Sequence, residues 1–101
     1  MNRHPSKRTW VRIVTEEAKA AGVDPVAVMA GSVRPGFAPV RWRAWRRLVD
    51  APQGYSLAGI GKVSGFHWSA VMYGVHRLAG VSPREIYLRG MHVERNRTNA
   101  S

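Results

Sequence analysis

Apolar positions along this chain recur at three- and four-residue spacing, and no alternating pattern outlasts three residues, so the whole chain predicts helices and no strand. From Ser6, an N-cap, the positions Trp10, Ile13, Val14, Ala18 and Ala21 form one stripe that Gly22 closes. Asp24-Pro25 is a second start, with VAVMA giving one or two turns before Gly31. GSVRPGFAP, residues 31–39, reads as a loop. Pro39 then opens a third helix through VRWRAWRRLVDA, striped by Val40, Ala44, Trp45, Leu48 and Val49 and ended by Ala51-Pro52-Gln53-Gly54. Ser82-Pro83-Arg84-Glu85 combines a cap, a first-turn proline and a capping-box glutamate, which predicts a closing helix from Pro83 to about Arg89.

Between these, YSLAGIGKVSGFHWSAVMYGVHRLAG reads as two short helices hinged at Gly65. Ser56 caps the first, with Leu57, Ile60 and Val63 on one face; the second runs from about Ser69 to Ala79, with Val71, Val75 and Leu78 towards the core. That is a helix-turn-helix, whose second helix normally lies in the major groove of DNA. Its opposite face carries Ser69, Ala70, Tyr73, Gly74 and Arg77, and the turn presents Phe66, His67 and Trp68. The candidate base-contacting set is therefore Phe66, His67, Trp68, Ser69, Ala70 and Tyr73. The expected fold class is all-α, a compact six-helix domain over residues 6–90 with its helix-turn-helix at 56–79, a loose basic arm at 1–5 and a disordered tail at 91–101.

Ser56-Leu57-x-x-Ile60-Gly61, then Gly65, then an aromatic run leading into Ser69-Ala70-Val71, resembles the C-terminal DNA-binding domain, domain IV, of the bacterial replication initiator DnaA. There the corresponding text is close to SLPEIG followed by FGGRDHTTV, and the likeness runs from about Lys7 to about Leu78. The resemblance implies a helix-turn-helix of the domain IV and Trp repressor type. It also implies that Ser69 stands at a base-contacting threonine, that His67 and Trp68 replace a base-reading Asp and His, and that Arg77 stands at a lysine near the backbone. Arg34, in the loop before the third helix, would reach a minor groove. Because Phe66-His67-Trp68 replaces a charged triplet, the initiator's recognition sequence is not expected to carry over.

Charge sharpens this picture. Sixteen Lys and Arg against six Asp and Glu give a net charge of +10 and a pI near 11.5, the electrostatic footprint of a polyanion binder. Between Pro25 and Arg84 the single carboxylate is Asp50, against Arg34, Arg41, Arg43, Arg46, Arg47, Lys62, Arg77 and Arg84. The expectation is that Arg41, Arg43, Arg46, Arg47 and Arg77 bind phosphates with no carboxylate to neutralise them, while Ser56, Leu57 and Lys62 complete the backbone-contacting set. Glu16 and Glu17 read as the solvent face of the first helix. Trp10 and Trp45 fall on apolar stripes and belong to the core; Trp42 and Trp68 each admit a core or a contact placement.

Other chemistries find little support. The absence of Cys removes disulfides, thiolate zinc sites and cysteine nucleophiles, and His67 and His76 have no further ligands to complete a metal set. Gly59-Ile60-Gly61-Lys62 lacks the spacing and preceding strand of a phosphate loop. No apolar run approaches eighteen residues and the first residues lack a signal-peptide pattern, so the expected location is the cytoplasm, at the nucleoid. The sequence thus predicts a non-catalytic, sequence-specific reader of double-stranded DNA without cofactor, metal, membrane or small-molecule substrate, acting as a transcriptional regulator, an activator in particular. Small phage-like or gene-transfer-agent activators built on the same domain, with a sigma-like partner, are one such setting. Two other readings stand beside it: a phage or chromosomal replication accessory protein on origin-like sites, and an interaction module presenting Phe66, Trp68 and Tyr73 to RNA polymerase.

Overall fold

A computed structural model describes residues 4–88 and contains six helices among them, with no strand. They are α1 (Lys7–Ala21), α2 (Pro25–Met29), α3 (Phe37–Val49), α4 (Leu57–Ser64), α5 (Trp68–Leu78) and α6 (Pro83–Leu88). The expected tail at 91–101 and most of the expected arm lie outside the described residues; Pro5, placed in that arm by the sequence, is buried.

The caps explain most boundaries. Ser6, Asp24 and Ser56 each accept a backbone N–H from the first turn that follows, and Gly22 and Gly65 end α1 and α4 in the left-handed conformation. Helix α3 departs from expectation by starting at Phe37, two residues before Pro39. The proline then occupies the first turn, where no intrahelical acceptor awaits its missing N–H, so it does not have to be the first helical residue. Gly36, at φ 92°, supplies the turn in place of a side-chain cap.

Helix α3 is the spine. Val40, Ala44, Trp45 and Leu48 bury one face of it against Trp10, Ile13, Val14 and Ala18 of α1, Val28 of α2, Ile60 of α4 and Val71 of α5. Each large apolar side chain removed from water in this way contributes about 1.5–3 kcal/mol. Trp45 also donates its indole N–H to Ser64 Oγ at 3.2 Å, and Ser64 Oγ donates to the Gly61 carbonyl at 3.2 Å, so the buried polar atoms at the end of α4 are satisfied.

Two glycines set how closely α5 approaches its neighbours. A Cβ at Gly74 would fall 2.8 Å from Trp45 Cε3 and into the Trp42 ring; one at Gly61 would fall 2.5 Å from the Phe66 carbonyl oxygen. Both positions therefore exclude larger residues for reasons of contact, and they seat α5 directly on α3 and α4.

Candidate nucleic-acid interface

Helices α4 and α5 are joined by Gly65, Phe66 and His67, a three-residue turn in which the Phe66 N–H donates to the Gly61 carbonyl at 2.9 Å. Helix α5 begins at Trp68, one residue before the predicted start, because His67 is its N-cap. The Ser69 N–H donates to His67 Nδ1 at 3.2 Å, and Ser69 Oγ lies 2.7 Å from the same nitrogen. An amide N–H can only donate, so Nδ1 is an acceptor and the neutral ring carries its proton on Nε2. His67 is exposed, and its Nε2–H is thereby left as an outward donor. The cap commits the Ser69 hydroxyl hydrogen to His67 as well, since a lone-pair nitrogen accepts, leaving the oxygen an acceptor towards solvent.

At 100° per residue, buried Val71 and Gly74 define the inner side of α5, and Ser69, Met72, Tyr73 and His76, all partly exposed, fall on the outer side. Met72 and His76 were not among the sequence-predicted contacts, although their spacing from Ser69 and Tyr73 carried the signal. Gly74, expected on the outer face, is instead sealed against α3. Ala70 packs on the core. Trp68 is half-buried, does not join the core packing, and lies against the His67 ring at 5.3 Å with a 35° tilt. That resolves its two placements in favour of the turn, beside His67.

Phe66 is a different case. Its ring sits edge-on to Trp45 at 5.2 Å, with the Arg41 guanidinium over it at 5.3 Å, and it packs on the core. It is therefore a structural ring under the turn, and with Tyr73 it lines a groove between α3 and α5 whose lining does not include Trp68. Trp42, the other ring with two possible placements, closes that groove, edge-on to Tyr73 at 6.4 Å.

The arginines expected to grip phosphates are engaged within the fold. Arg43 pairs with Glu17 at 3.2 Å, and Arg47 with Glu16 at 2.8 Å and Glu17 at 3.3 Å. Arg46 pairs with Asp50 at 2.8 Å. The expectation of no neutralising carboxylate fails for Arg43 and Arg47 because α1 packs on α3 and brings Glu16 and Glu17 across, and for Arg46 because Asp50 lies one turn on; it holds for Arg41 and Arg77 among the described residues, and the two glutamates are ion-pair partners and more than a solvent face. The hydrogen bond from Arg47 holds the Glu16 carboxyl below its ordinary range. Arg41 is 7% exposed and donates from Nη1 to the Val28 carbonyl in the last turn of α2 at 3.1 Å, where a cation also meets the negative end of the helix. Burial pushes its pKa down. Arg77 lies over the Trp42 ring at 5.6 Å and donates from Nη1 to the Val81 carbonyl at 3.2 Å, pinning α5 to α3 and to the turn before α6. Its Nε is buried without a partner among the described residues.

Besides Arg41 and Arg77, the cations with no carboxylate pair among the described residues are Lys7, Arg8, Lys19, Arg34, Lys62 and Arg84. Lys62 and Arg34 were anticipated, and both are exposed. Lys7 was not: its Nζ reaches the Val63 carbonyl at 3.5 Å, which puts it beside Lys62 at the end of α4 across a separation of 56 residues that no local pattern reveals. Ser56 spends its hydroxyl on the Gly59 N–H at 2.9 Å and Leu57 packs on the core, so both serve the start of α4.

No protein-family model, no curated protein and no solved structure matches this chain. Among the described residues no three His, Cys, Asp or Glu gather as a metal set, and no helix is long and apolar enough to cross a membrane.

Proposed function

We propose that this protein binds double-stranded DNA through α5, placing Ser69, Met72, Tyr73 and His76 in the major groove with His67 and Trp68 at its mouth, and that it acts as a transcriptional regulator. The observation that carries this reading is the turn itself. Its cap leaves a donor on His67 and an acceptor on Ser69 side by side at the start of a helix whose outer face has no other element packed on it in the core cluster. Base edges in the major groove are told apart by such donor and acceptor positions. A net charge of +10 supports it, because counterion release favours a cationic partner on any duplex.

The likeness of Ser56-Leu57, Ile60-Gly61, Gly65 and Ser69 to the initiator's domain IV supports the same docking. Regulation fits a unit that reads a site and positions the protein there; a nucleoid location and a polymerase or sigma-like partner follow from that role. The test is fluorescence anisotropy with random-sequence and selected duplexes from 50 to 300 mM salt. Three to four neutralised phosphates would give a log K against log salt slope of roughly −3 to −4. A flat salt response, or an inability of any selected duplex to outcompete random DNA, defeats the reading.

A further inference from the structure

The groove between α3 and α5 holds about 430 Å³ and is walled by Ala38, Trp42, Phe66, Ala70 and Tyr73, with Arg41 among its lining residues. Its volume is within the range of small-ligand sites, and its walls are flat rings and methyl groups, as such sites usually are. Arg41 is the anomaly. A guanidinium has five N–H donors, yet this one, 7% exposed, donates to a single carbonyl and meets no carboxylate among the described residues. The other four arginines on or after α3 that were expected to bind phosphate divide differently: Arg43, Arg46 and Arg47 face carboxylates at the surface, and Arg77 faces a carbonyl beyond α5. The remaining Arg41 N–H groups are not among the buried atoms that lack a partner, so they reach solvent at the groove, where an anion can meet them.

We propose that this groove binds a small planar aromatic carboxylate, its ring between Trp42, Phe66 and Tyr73 and its carboxylate on Arg41. The fork of a guanidinium matches the two oxygens of a carboxylate, and the hydrogen bond to Val28 together with the Phe66 ring holds that fork in place before any ligand arrives. Arg77 covers one face of Trp42 and Arg41 one face of Phe66, and Trp42, Phe66 and Tyr73 all still line the groove. The groove shares Ser69 and Tyr73 with the proposed reading face, and the site stands or falls by direct titration in the absence of DNA.

Naphthalene-2-carboxylate is the probe, titrated into the whole chain by calorimetry and by tryptophan fluorescence, with naphthalene-2-carboxamide as its neutral counterpart. The expected result is saturable one-to-one binding, with the carboxylate at least ten times tighter than the amide. Arg41→Met should abolish that difference. Because Arg41 also braces α2, Ala38→Leu serves as a second variant: it fills the groove from the first turn of α3 and should remove binding of both compounds with the helical circular dichroism intact. Equal affinity for acid and amide, no saturation at millimolar probe, or unchanged binding by Ala38→Leu would each overturn the assignment.

Discussion

The arginines of α3 and two lysines, Lys7 of α1 and Lys62 of α4, carry the same formal charge in different surroundings. Arg43, Arg46 and Arg47 stand within 3.3 Å of carboxylates and tie α3 to α1 and to its own last turn. Lys7 reaches the carbonyl of Val63, the residue after Lys62, near the turn into α5, and neither lysine has a carboxylate partner among the described residues. Exposed ion pairs contribute only about 0–1 kcal/mol each, so the arginines add little to stability, yet their charge is already partly compensated within the fold. Density of positive residues along a chain is thus a poor guide to where a polyanion will sit; the distance to the nearest carboxylate is a better one.

The largest effect should come from breaking the seam that seats α5 on α3. Trp45→Ala removes a 2%-exposed ring, its hydrogen bond to Ser64 and its contact with Phe66, and should cost about 3–5 kcal/mol in urea unfolding. A loss below about 1 kcal/mol would mean that α5 is held by something other than α3.

Next is the division within the turn. Ser69→Ala, Tyr73→Ala and Trp68→Ala should each cost about 1–3 kcal/mol at particular base positions in a competition assay while leaving the salt slope alone. Phe66→Ala, by contrast, should lower the unfolding midpoint and leave base preference in the folded fraction unchanged. A selectivity change from Phe66→Ala at full stability would return that ring to the reading surface.

The cation comparison itself predicts a smaller shift. Lys7→Ala and Lys62→Ala should each make the salt slope shallower by about 1, uniformly across sequences, and Arg43→Ala and Arg46→Ala should leave it almost unchanged. The reverse ranking, read from the same titrations, would restore the arginine helix as the phosphate-gripping surface.

The smallest effect concerns acid. The folded-state Glu16 carboxyl is held low by Arg47, so its contribution to stability is present at neutral pH, above the ordinary glutamate range, and is lost as pH falls through that range and below. Glu16→Gln should therefore narrow the difference in melting temperature between pH 7 and pH 3 relative to the parent chain. Superimposable acid profiles for the two proteins would show that the pair does not persist in solution.

Local signals made much of the architecture legible. Ser6, Asp24 and Ser56 announce helix starts because a side-chain oxygen meets an N–H within its own turn, and Gly22 and Gly65 announce ends because a left-handed residue is needed there. The core stripe of α1 and the inner positions of α3 follow from spacing alone. What escaped was the part of the site set by neighbours distant in sequence. The start of α3 escaped because Gly36 replaces a cap with a backbone conformation that has no side-chain signature.

The sequence by itself determined six helices, their polarity, most of their boundaries, and a positively charged chain with a glycine-hinged pair at its centre. Only the tertiary structure decided which residues of that pair face outwards and which charges remain uncompensated. It turned Phe66, Gly74 and Arg77 inwards against α3. It also brought Glu16 and Glu17 to Arg43 and Arg47 and carried Lys7 to the Val63 carbonyl. The physical reason is range: capping and periodicity act within one turn of backbone, whereas packing and Coulomb attraction act through space and are indifferent to the number of residues between the partners.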